Sequence, residues 1–490
     1  MLTPLDPRQW DLNKAAHLLN RAGFGGTPGQ IQALYAMGFD GAVSSLLNAP
    51  DDSQQFPRPA DIAPIDYLAM RDQIAALPED EKKKTFQQMQ KAQRGDMLEL
   101  VDWWLNRMAQ TPNPLREKLT LFWHGNFATS VQKVKQAYLM WQQNETLRQY
   151  ALGNFGDLAK AISRDPAMMI YLDTRESKKE HPNENFAREL MELFTLGIGN
   201  YSEDDIQNSA RAFTGYKINP KDDTFRYAPF QHDDGVKTFF GQSGKFGGDD
   251  IINLILQKPA CAQFIMRKMW AFFAYENPGP ALVAQLGGSF YGHQYEIKPM
   301  LAEIFHSAEF YSQRAVRMQI KSPVQWLVQT SKILDAGLPP PLVAVNALRQ
   351  MGQMPFAPPN VKGWDGGRAW ITTSTLLFRY NLSNYALSNG TLNVQVMNRI
   401  IAANKAAGRP GFDVENRKPV DLVKIAPPDL RADPQKLVAS LTFRLYQNPL
   451  SPKETKPFLD FLKEKNNDTS DQTVRELLHL MMSTPEYQLT

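Results

Sequence analysis

Apolar residues recur at intervals of three or four along most of the chain, which predicts a predominantly α fold. The longest such segment is 79–110, where the charged start "EDEKKK" gives way to the amphipathic "MLELVDWWLNRMAQ". The sequence "TPNP" ends it, because proline cannot continue a helix. The same periodicity predicts single helices over 131–151, 184–196 and 316–336, among others.

Apolar and polar residues alternate, instead of following helical spacing, only near 215–245. There the stretches "TFRYAPF" and "VKTFFG" flank "QHDDG". The pattern predicts that these two stretches form either a small β-hairpin or a folded loop, which lies as a flap on the helical body. Short helices are expected over 1–50 and a main helical body over 67–400. A Pro-, Lys- and Asp-rich stretch, 405–432, has the composition of a linker to a helical C-terminal unit over 433–490.

Composition excludes several classes of protein. Among the 490 residues, 54 are Lys or Arg and 51 are Asp or Glu, a net charge of +3 that argues against a nucleic-acid partner. The single cysteine, Cys261, cannot form an intrachain disulfide. No apolar run approaches the roughly 18 residues that a membrane span needs. The first residues lack an export signal, so a native N-terminus would indicate a cytoplasmic protein.

Charge is concentrated in the stretch "HPNENFARELMELFTLG", 181–197, which carries the predicted 184–196 helix. Asn185, Glu189 and Glu192 recur at i, i+4 and i+7, beside an apolar stripe. Arg188 lies next to them. Two interpretations are open: a surface helix with i,i+4 ion pairs, or a half-buried carboxylate that points into a polar pocket and needs a partner there.

Four other stretches supply residues for such a pocket. "FWHGN" places His124 and Asn126 at a predicted helix end, and Asp173 follows an apolar segment. The predicted flap carries His232 and Asp233, although Asp-Gly is also a common turn pair. A Pro/Gly-rich loop, "MPFAPPNVKGWDGGRAW", carries Trp364 and Asp365. It is either a rigid structural loop or an aromatic binding rim suited to sugars or polymers.

A series of motifs resembles the bacterial family called domain of unknown function 1800. The motifs stand in the family's order from His17 to the chain's last residues: "HLLNRAGFGGTP", "FWHGNFATS", "NENFARELMELFTLGIGNYSEDDIQNSARAFTGY", "HDDGVKTFFG", "SPVQWLV", "PFAPPNVKGWDGGRAW" and "MMSTPEYQL". The resemblance implies a large, mostly helical bacterial protein. It also implies that many relatives are exported, to the periplasm or beyond, and are encoded beside a sulfatase-like protein.

Two functional hypotheses follow. In the first, the protein is an enzyme doing hydrolytic or transfer chemistry on a polymer or glycan, with or without a divalent metal held by Glu, Asp and His. In the second, it is a non-catalytic binding or assembly partner of the sulfatase-like protein, and the polar motifs form a buried structural network. For the enzyme, the expected catalytic residues are His124, Glu189 and Asp173, and the expected substrate-binding residues are Asn126, Asn185, Arg188, His232, Asp233, Trp364 and Asp365.

Overall fold

The protein is predominantly α-helical, as the apolar periodicity predicts. The computed structural model describes residues 2–388 and 418–490. The first half of the chain contains α1 (Leu12–Ala22), α2 (Pro28–Ala36), α3 (Gly38–Leu47), α4 (Tyr67–Ala75), α5 (Glu79–Gln110), α6 (Pro114–Asn126), α7 (Val131–Val134), α8 (Ala137–Gln149), α9 (Phe155–Ser163), α10 (Pro166–Tyr171), α11 (Asn185–Glu189) and α12 (Glu203–Ala212).

The second half continues the helical architecture. Residues 389–417, which include the end of the predicted main body and the start of the predicted linker, lie outside the described residues. The rest of that linker carries two short helices. The two linker helices are α20 (Leu422–Ile425) and α21 (Pro428–Arg431). The other described helices of the second half are α13 (Gly248–Leu256), α14 (Pro259–Phe273), α15 (Pro280–Gly292), α16 (Ile297–Phe305), α17 (Pro323–Ile333), α18 (Pro341–Met351), α19 (Thr373–Leu387), α22 (Pro434–Tyr446), α23 (Pro452–Glu464) and α24 (Asp471–Met482).

Two of the predicted single helices are interrupted by residues in the left-handed conformation. Lys135, with φ of 57°, separates α7 from α8 within the segment predicted as one helix over 131–151. Arg317, with φ of 56°, precedes α17, which begins only at Pro323 and not at 316. A non-glycine residue in this conformation ends a right-handed helix, and apolar spacing carries no signal for it.

The predicted β flap exists, but as two hairpins with different partners from those expected. Strand β1 (Tyr216–Ile218) pairs with β2 (Phe225–Tyr227), and β3 (Lys237–Phe239) pairs with β4 (Gln242–Gly244). The predicted pairing of "TFRYAPF" with "VKTFFG" is therefore wrong. A two-residue turn explains the second hairpin: Phe240 and Gly241 both have positive φ, which suits the twist of a tight hairpin.

Apolar side chains form two clusters. One joins the N-terminal helices α1–α3 to α14–α16. The other joins the C-terminal half of α5 to α17–α19 and to the C-terminal helices α22 and α24. Tyr487 is buried in this second cluster, and its hydroxyl lies 2.8 Å from that of Thr330 on α17. The division into three parts stays a prediction, although the predicted C-terminal unit shares its core with α17.

A group of buried charges lies where α5, α6 and α8 meet. Glu117 is 1% exposed and contacts two guanidinium groups, with 2.5 Å to Arg148 Nε and 3.0 Å to Arg107 Nε. Trp104 Nε1 donates a third contact to its carboxylate, at 2.8 Å. Burial raises the pKa of Glu117, but the two guanidinium groups outweigh burial and hold it below its usual value. Arg107 also binds the buried carboxylate of Asp52.

We expect Glu117→Gln to lower the free energy of unfolding by about 3–5 kcal/mol, because the substitution leaves buried guanidinium charge without its partner. Chemical denaturation followed by circular dichroism measures this loss. Glu203→Gln is the matched control: that carboxylate is 69% exposed in its ion pair with Arg188, so its loss should cost at most about 1 kcal/mol. Equal losses in the two variants would contradict the prediction.

Candidate functional site

The acidic stretch that the sequence singles out folds as a short α-helix followed by a π-helical segment. Asn183 accepts a hydrogen bond from the backbone N–H of Asn185 at 2.8 Å, and α11 begins there. From Leu190 to Thr195 the backbone is π-helical, and the N–H groups of Leu196 and Gly197 both bond to Met191 O. Segments of this kind are rare in proteins, and those that occur often lie at functional sites.

Two of the predicted ligand-binding residues of this stretch lie at the protein surface. Asn185 is exposed. Arg188 forms a two-pronged ion pair with Glu203, with Nη1 to Oε1 at 2.9 Å and Nη2 to Oε2 at 2.8 Å. A weaker contact of 3.4 Å joins Arg188 to Glu184. This part of the stretch therefore has the geometry of the surface ion-pair interpretation.

Glu189 differs from its neighbours, because its half-buried carboxylate has no hydrogen bond or ion pair among the residues that the structure describes. Burial and the nearby charge of Glu192 raise its pKa. Glu192 itself accepts a hydrogen bond from the Tyr201 hydroxyl at 2.9 Å. Burial and the charge of Glu189 also raise the pKa of Tyr171. These four side chains form an acidic, aromatic corner beside the π-helical segment.

His124 lies in a different environment from Glu189. Its ring is 1% exposed and packs against Trp104, Phe356 and Trp364, with centroids 5.3–5.6 Å away. Nε2 accepts a hydrogen bond from the backbone N–H of Phe356 at 2.9 Å. Burial lowers the pKa of His124 to about 3, so the ring is neutral. In the described part of the chain, no hydrogen bond or ring contact joins His124 to Glu189.

The two motif segments meet instead through Asn126. Lys268 Nζ on α14 donates to Asn126 Oδ1 at 2.5 Å and to Leu193 O in the π-helical segment at 3.1 Å. Asn126 Nδ2 also reaches Phe194 O, at 3.5 Å. Burial lowers the pKa of Lys268 to about 8. This lysine, which the sequence did not single out, ties the end of α6 to the carbonyl end of the π-helical segment.

The remaining acid and histidine candidates are held by structural contacts. Asp173, in the left-handed conformation with φ of 59°, pairs with Lys133 at 2.7 Å. His232 Nδ1 contacts Thr214 O at 2.9 Å. Asp233 binds Arg211 through both carboxylate oxygens, with 2.7 Å from Arg211 Nε to Oδ2, and this guanidinium holds its pKa below the usual value. The pair fixes the segment between the two hairpins to α12.

The Trp364 loop is anchored to the end of α6 on several sides. Phe356 donates its N–H to His124, and its carbonyl accepts from Val131 N at 2.8 Å. Gly363, with φ of 88°, passes so close to the carbonyl of Gly125 that a side chain there would collide with it. Trp364 contacts the His124 ring, whereas Asp365 is exposed and pairs with Lys362. These contacts hold the loop against α6 and the start of α7, and the loop also forms one wall of a groove.

This groove encloses about 1530 Å³ between α5, α18, α19 and the Trp364 loop. Its floor is mostly aliphatic, and its rim carries amides and the exposed cations Arg94, Lys135 and Arg349. None of these three cations has an ion-pair partner among the described residues. The described lining contains no Asp, Glu, His or Cys. Of the predicted site residues, Trp364 alone contributes to the lining.

Sequence reasoning missed the groove because its residues come from four separate segments. The one available signal is the stripe Phe86, Gln90, Gln93 and Met97 on α5, at i, i+4, i+7 and i+11. It lies in the charged half of the helix, where solvent exposure is the usual interpretation. In residues 2–388 and 418–490, no group of three or more His, Cys, Asp or Glu could hold a metal ion. Within the same ranges, no helix combines the length and apolar character that crossing a membrane requires.

The neutral state of His124 predicts a pH effect on stability. Between a folded pKa of about 3 and the unfolded value of about 6.5, the unfolded chain binds a proton that the folded chain does not. This histidine therefore makes the free energy of unfolding decrease as the pH falls through that range. Denaturation of wild type and His124→Gln at several pH values tests this effect. Glutamine can accept from Phe356 but cannot titrate, so we expect the variant's slope to be smaller by about 1.4 kcal/mol per pH unit. Parallel curves would contradict the prediction.

Comparison with known proteins agrees with the motifs. The family model described as "Protein of unknown function (DUF1800)" matches residues 17–489, nearly the whole chain. No curated protein and no solved structure matches the chain. The matched range contains α6, the π-helical segment, both hairpins and the groove, so every feature of the candidate site lies within it. The chain belongs to the DUF1800 family of proteins of unknown function.

Proposed function

We propose that the protein is a non-catalytic binding protein that holds an extended anionic molecule in the groove between α5, α18 and α19. One observation carries the proposal: three cations on the groove's rim have no ion-pair partner among the described residues, and the described lining contains no carboxylate, imidazole or thiol. Cations without internal partners attract an anionic ligand, and specificity comes from such complementary charge. A cavity of about 1530 Å³ also exceeds the roughly 300–1,000 Å³ of small-molecule pockets.

The environment of the candidate catalytic groups supports the same proposal. General acid–base catalysis needs a group that can exchange a proton with substrate or water. His124 is a buried acceptor for a backbone amide, and Asp233 is bound by a guanidinium group. Both support the binding hypothesis, in which the polar motifs hold the walls of the groove in register. The sulfatase-like protein that the family resemblance implies remains a candidate for the molecule that binds.

We expect an acidic polymer to bind the groove and to lose about tenfold in affinity when Arg94 and Arg349 are both changed to Glu, since their charges then repel it. Calorimetric titration with polygalacturonate and with polyglutamate measures this loss. Lys298→Glu on α16, an exposed lysine outside the groove, is the matched control. Binding should also weaken as salt rises, because rim charges are screened. The proposed function would be overturned if neither polymer bound, or if Lys298→Glu lost as much affinity as the double variant.

A second candidate function rests on Glu189. Its half-buried carboxylate has a raised pKa and no partner among the described residues. A raised pKa and a carboxylate oxygen without a protein partner both suit a general acid. We infer that, if the protein is an enzyme, the acidic corner formed by Tyr171, Glu189, Glu192 and Tyr201 is the place where a polymer or glycan would undergo hydrolysis or transfer. A divalent metal at this corner would need ligands beyond those present in the described residues.

For this second candidate we expect Glu189→Gln to abolish polysaccharide cleavage while changing the free energy of unfolding by no more than about 0.5 kcal/mol, because no partner is lost. Assays for new reducing ends, run beside chemical denaturation, give both quantities. Glu184→Gln, on the same segment but paired with Arg188, should keep activity. A wild-type protein without cleavage activity, or an active Glu189→Gln variant, would exclude Glu189 as a general acid.

A further inference from the structure

Three cations lie together beside the buried ring of Tyr487, and none of them lines the groove. Lys321, just before α17, is 2% exposed, and its Nζ lies 4.0 Å from the centroid of the Tyr487 ring. Arg379 on α19 is 1% exposed and donates to Lys321 O at 2.9 Å and to Gln488 Oε1 at 3.2 Å. Burial and the charges of Arg379 and Arg317 lower the pKa of Lys321 to about 7.

These cations have few anionic partners in the part of the chain that the structure describes. There the Lys321 ammonium has no hydrogen bond or ion pair, and the buried Nε atoms of Arg317 and Arg379 have no hydrogen-bond partner. Glu454 pairs with Arg317 at 3.7 Å, and it also accepts the backbone N–H of Ser451 at 2.7 Å. Three cations and one carboxylate leave two positive charges.

This excess of buried positive charge needs compensation. A buried charge without a partner is costly, so buried charges in proteins are usually paired. Lys321 can lose its proton, but a guanidinium group cannot, so the surroundings stay positive even when the lysine is neutral. The face of the Tyr487 ring attracts an ammonium group but carries no net charge. An anion would supply the missing charge and would favour the protonated form of Lys321.

We propose that a divalent oxyanion of the phosphate or sulfate type binds between Arg317, Lys321 and Arg379. Guanidinium groups bind such oxyanions through charge-assisted hydrogen bonds, and their planar fork matches the spacing of two oxygens. Two negative charges balance the two positive charges that remain. Because Lys321 and Arg379 are almost completely buried, the site suits a free inorganic anion rather than an ester group on a sugar or a protein. The inference does not depend on the groove.

A bound anion would join three separate parts of the chain. Lys321 immediately precedes the motif "SPVQWLV", and Tyr487 and Gln488 belong to the motif "MMSTPEYQL". The backbone N–H of Lys321 already donates to Gln488 O at 2.8 Å. Neither motif contributes to the described lining of the groove or to the acidic corner. The anion would therefore hold the C-terminal segment against α17 and α19.

The test measures binding of inorganic phosphate and sulfate to the full chain. Ion chromatography of denatured wild type first reports any anion that copurifies. Calorimetric titration with each anion follows after dialysis into a chloride buffer, and thermal unfolding is measured at matched ionic strength. Lys321→Met removes the charge and keeps a side chain of similar length. Arg317→Gln removes one guanidinium group, and Lys298→Met, at an exposed lysine on α16, is the matched control.

We expect wild type to bind about one anion per chain, because the excess charge matches one divalent anion. Affinity should fall about tenfold in Arg317→Gln, since one charged donor is lost, and saturable binding should disappear in Lys321→Met. The melting temperature of wild type and of Lys298→Met should rise saturably with phosphate. Phosphate and sulfate also stabilise proteins without binding a site, and that general effect should remain in Lys321→Met.

The inference would be overturned if wild type neither released nor bound either anion, or if Lys321→Met bound with the affinity of wild type. Should Lys321→Met not fold, unchanged affinity in Arg317→Gln would overturn it instead. None of these outcomes affects the groove, whose polymer binding is tested through Arg94 and Arg349.

Discussion

The buried carboxylate of Glu117 is the constraint on which the site's geometry depends. A charge at 1% exposure is tolerable only with matched partners, and Arg107, Arg148 and Trp104 supply them from α5 and α8. Each partner must keep its position, because losing one would leave a buried charge uncompensated. A cost of about 3–5 kcal/mol is a large share of the 5–15 kcal/mol that stabilises a typical domain. The three helices are therefore fixed relative to one another.

The consequences of this contact extend from the charged group to the groove. Trp104 binds Glu117 through its indole N–H and packs its ring against His124 and Phe356. His124 in turn accepts a hydrogen bond from the N–H of Phe356. Phe356 belongs to the same loop as Trp364, which lines the groove. The motif around His124 thus holds one wall of the groove in place. The acidic corner at Glu189 lies outside this chain of contacts. It is therefore the basis of a second candidate function that does not depend on the groove.

Sequence reasoning singled out His124 but not the contacts that hold it. Glu117 and His124 lie seven residues apart on α6, and Trp104 from α5 contacts both. For the 181–197 stretch it left two interpretations open, a surface helix with ion pairs and a half-buried carboxylate in need of a partner. It could not show that Arg188 pairs with Glu203, since both interpretations of the stretch allow an ion pair. Nor could it find Lys268 or the groove cations, which are brought together from distant segments.

By itself, the sequence determined the helical class, the flap's approximate place and the family, because these depend on local periodicity and on motif order. Only the tertiary structure decided which polar groups have hydrogen-bond or ion-pair partners among the described residues. Whether a histidine titrates, or a cation lacks a partner, depends on burial and on neighbours from other parts of the chain. The sequence also could not indicate the left-handed breaks at Lys135 and Arg317. Apolar periodicity describes the face that a helix buries, and it carries no signal for where the backbone turns.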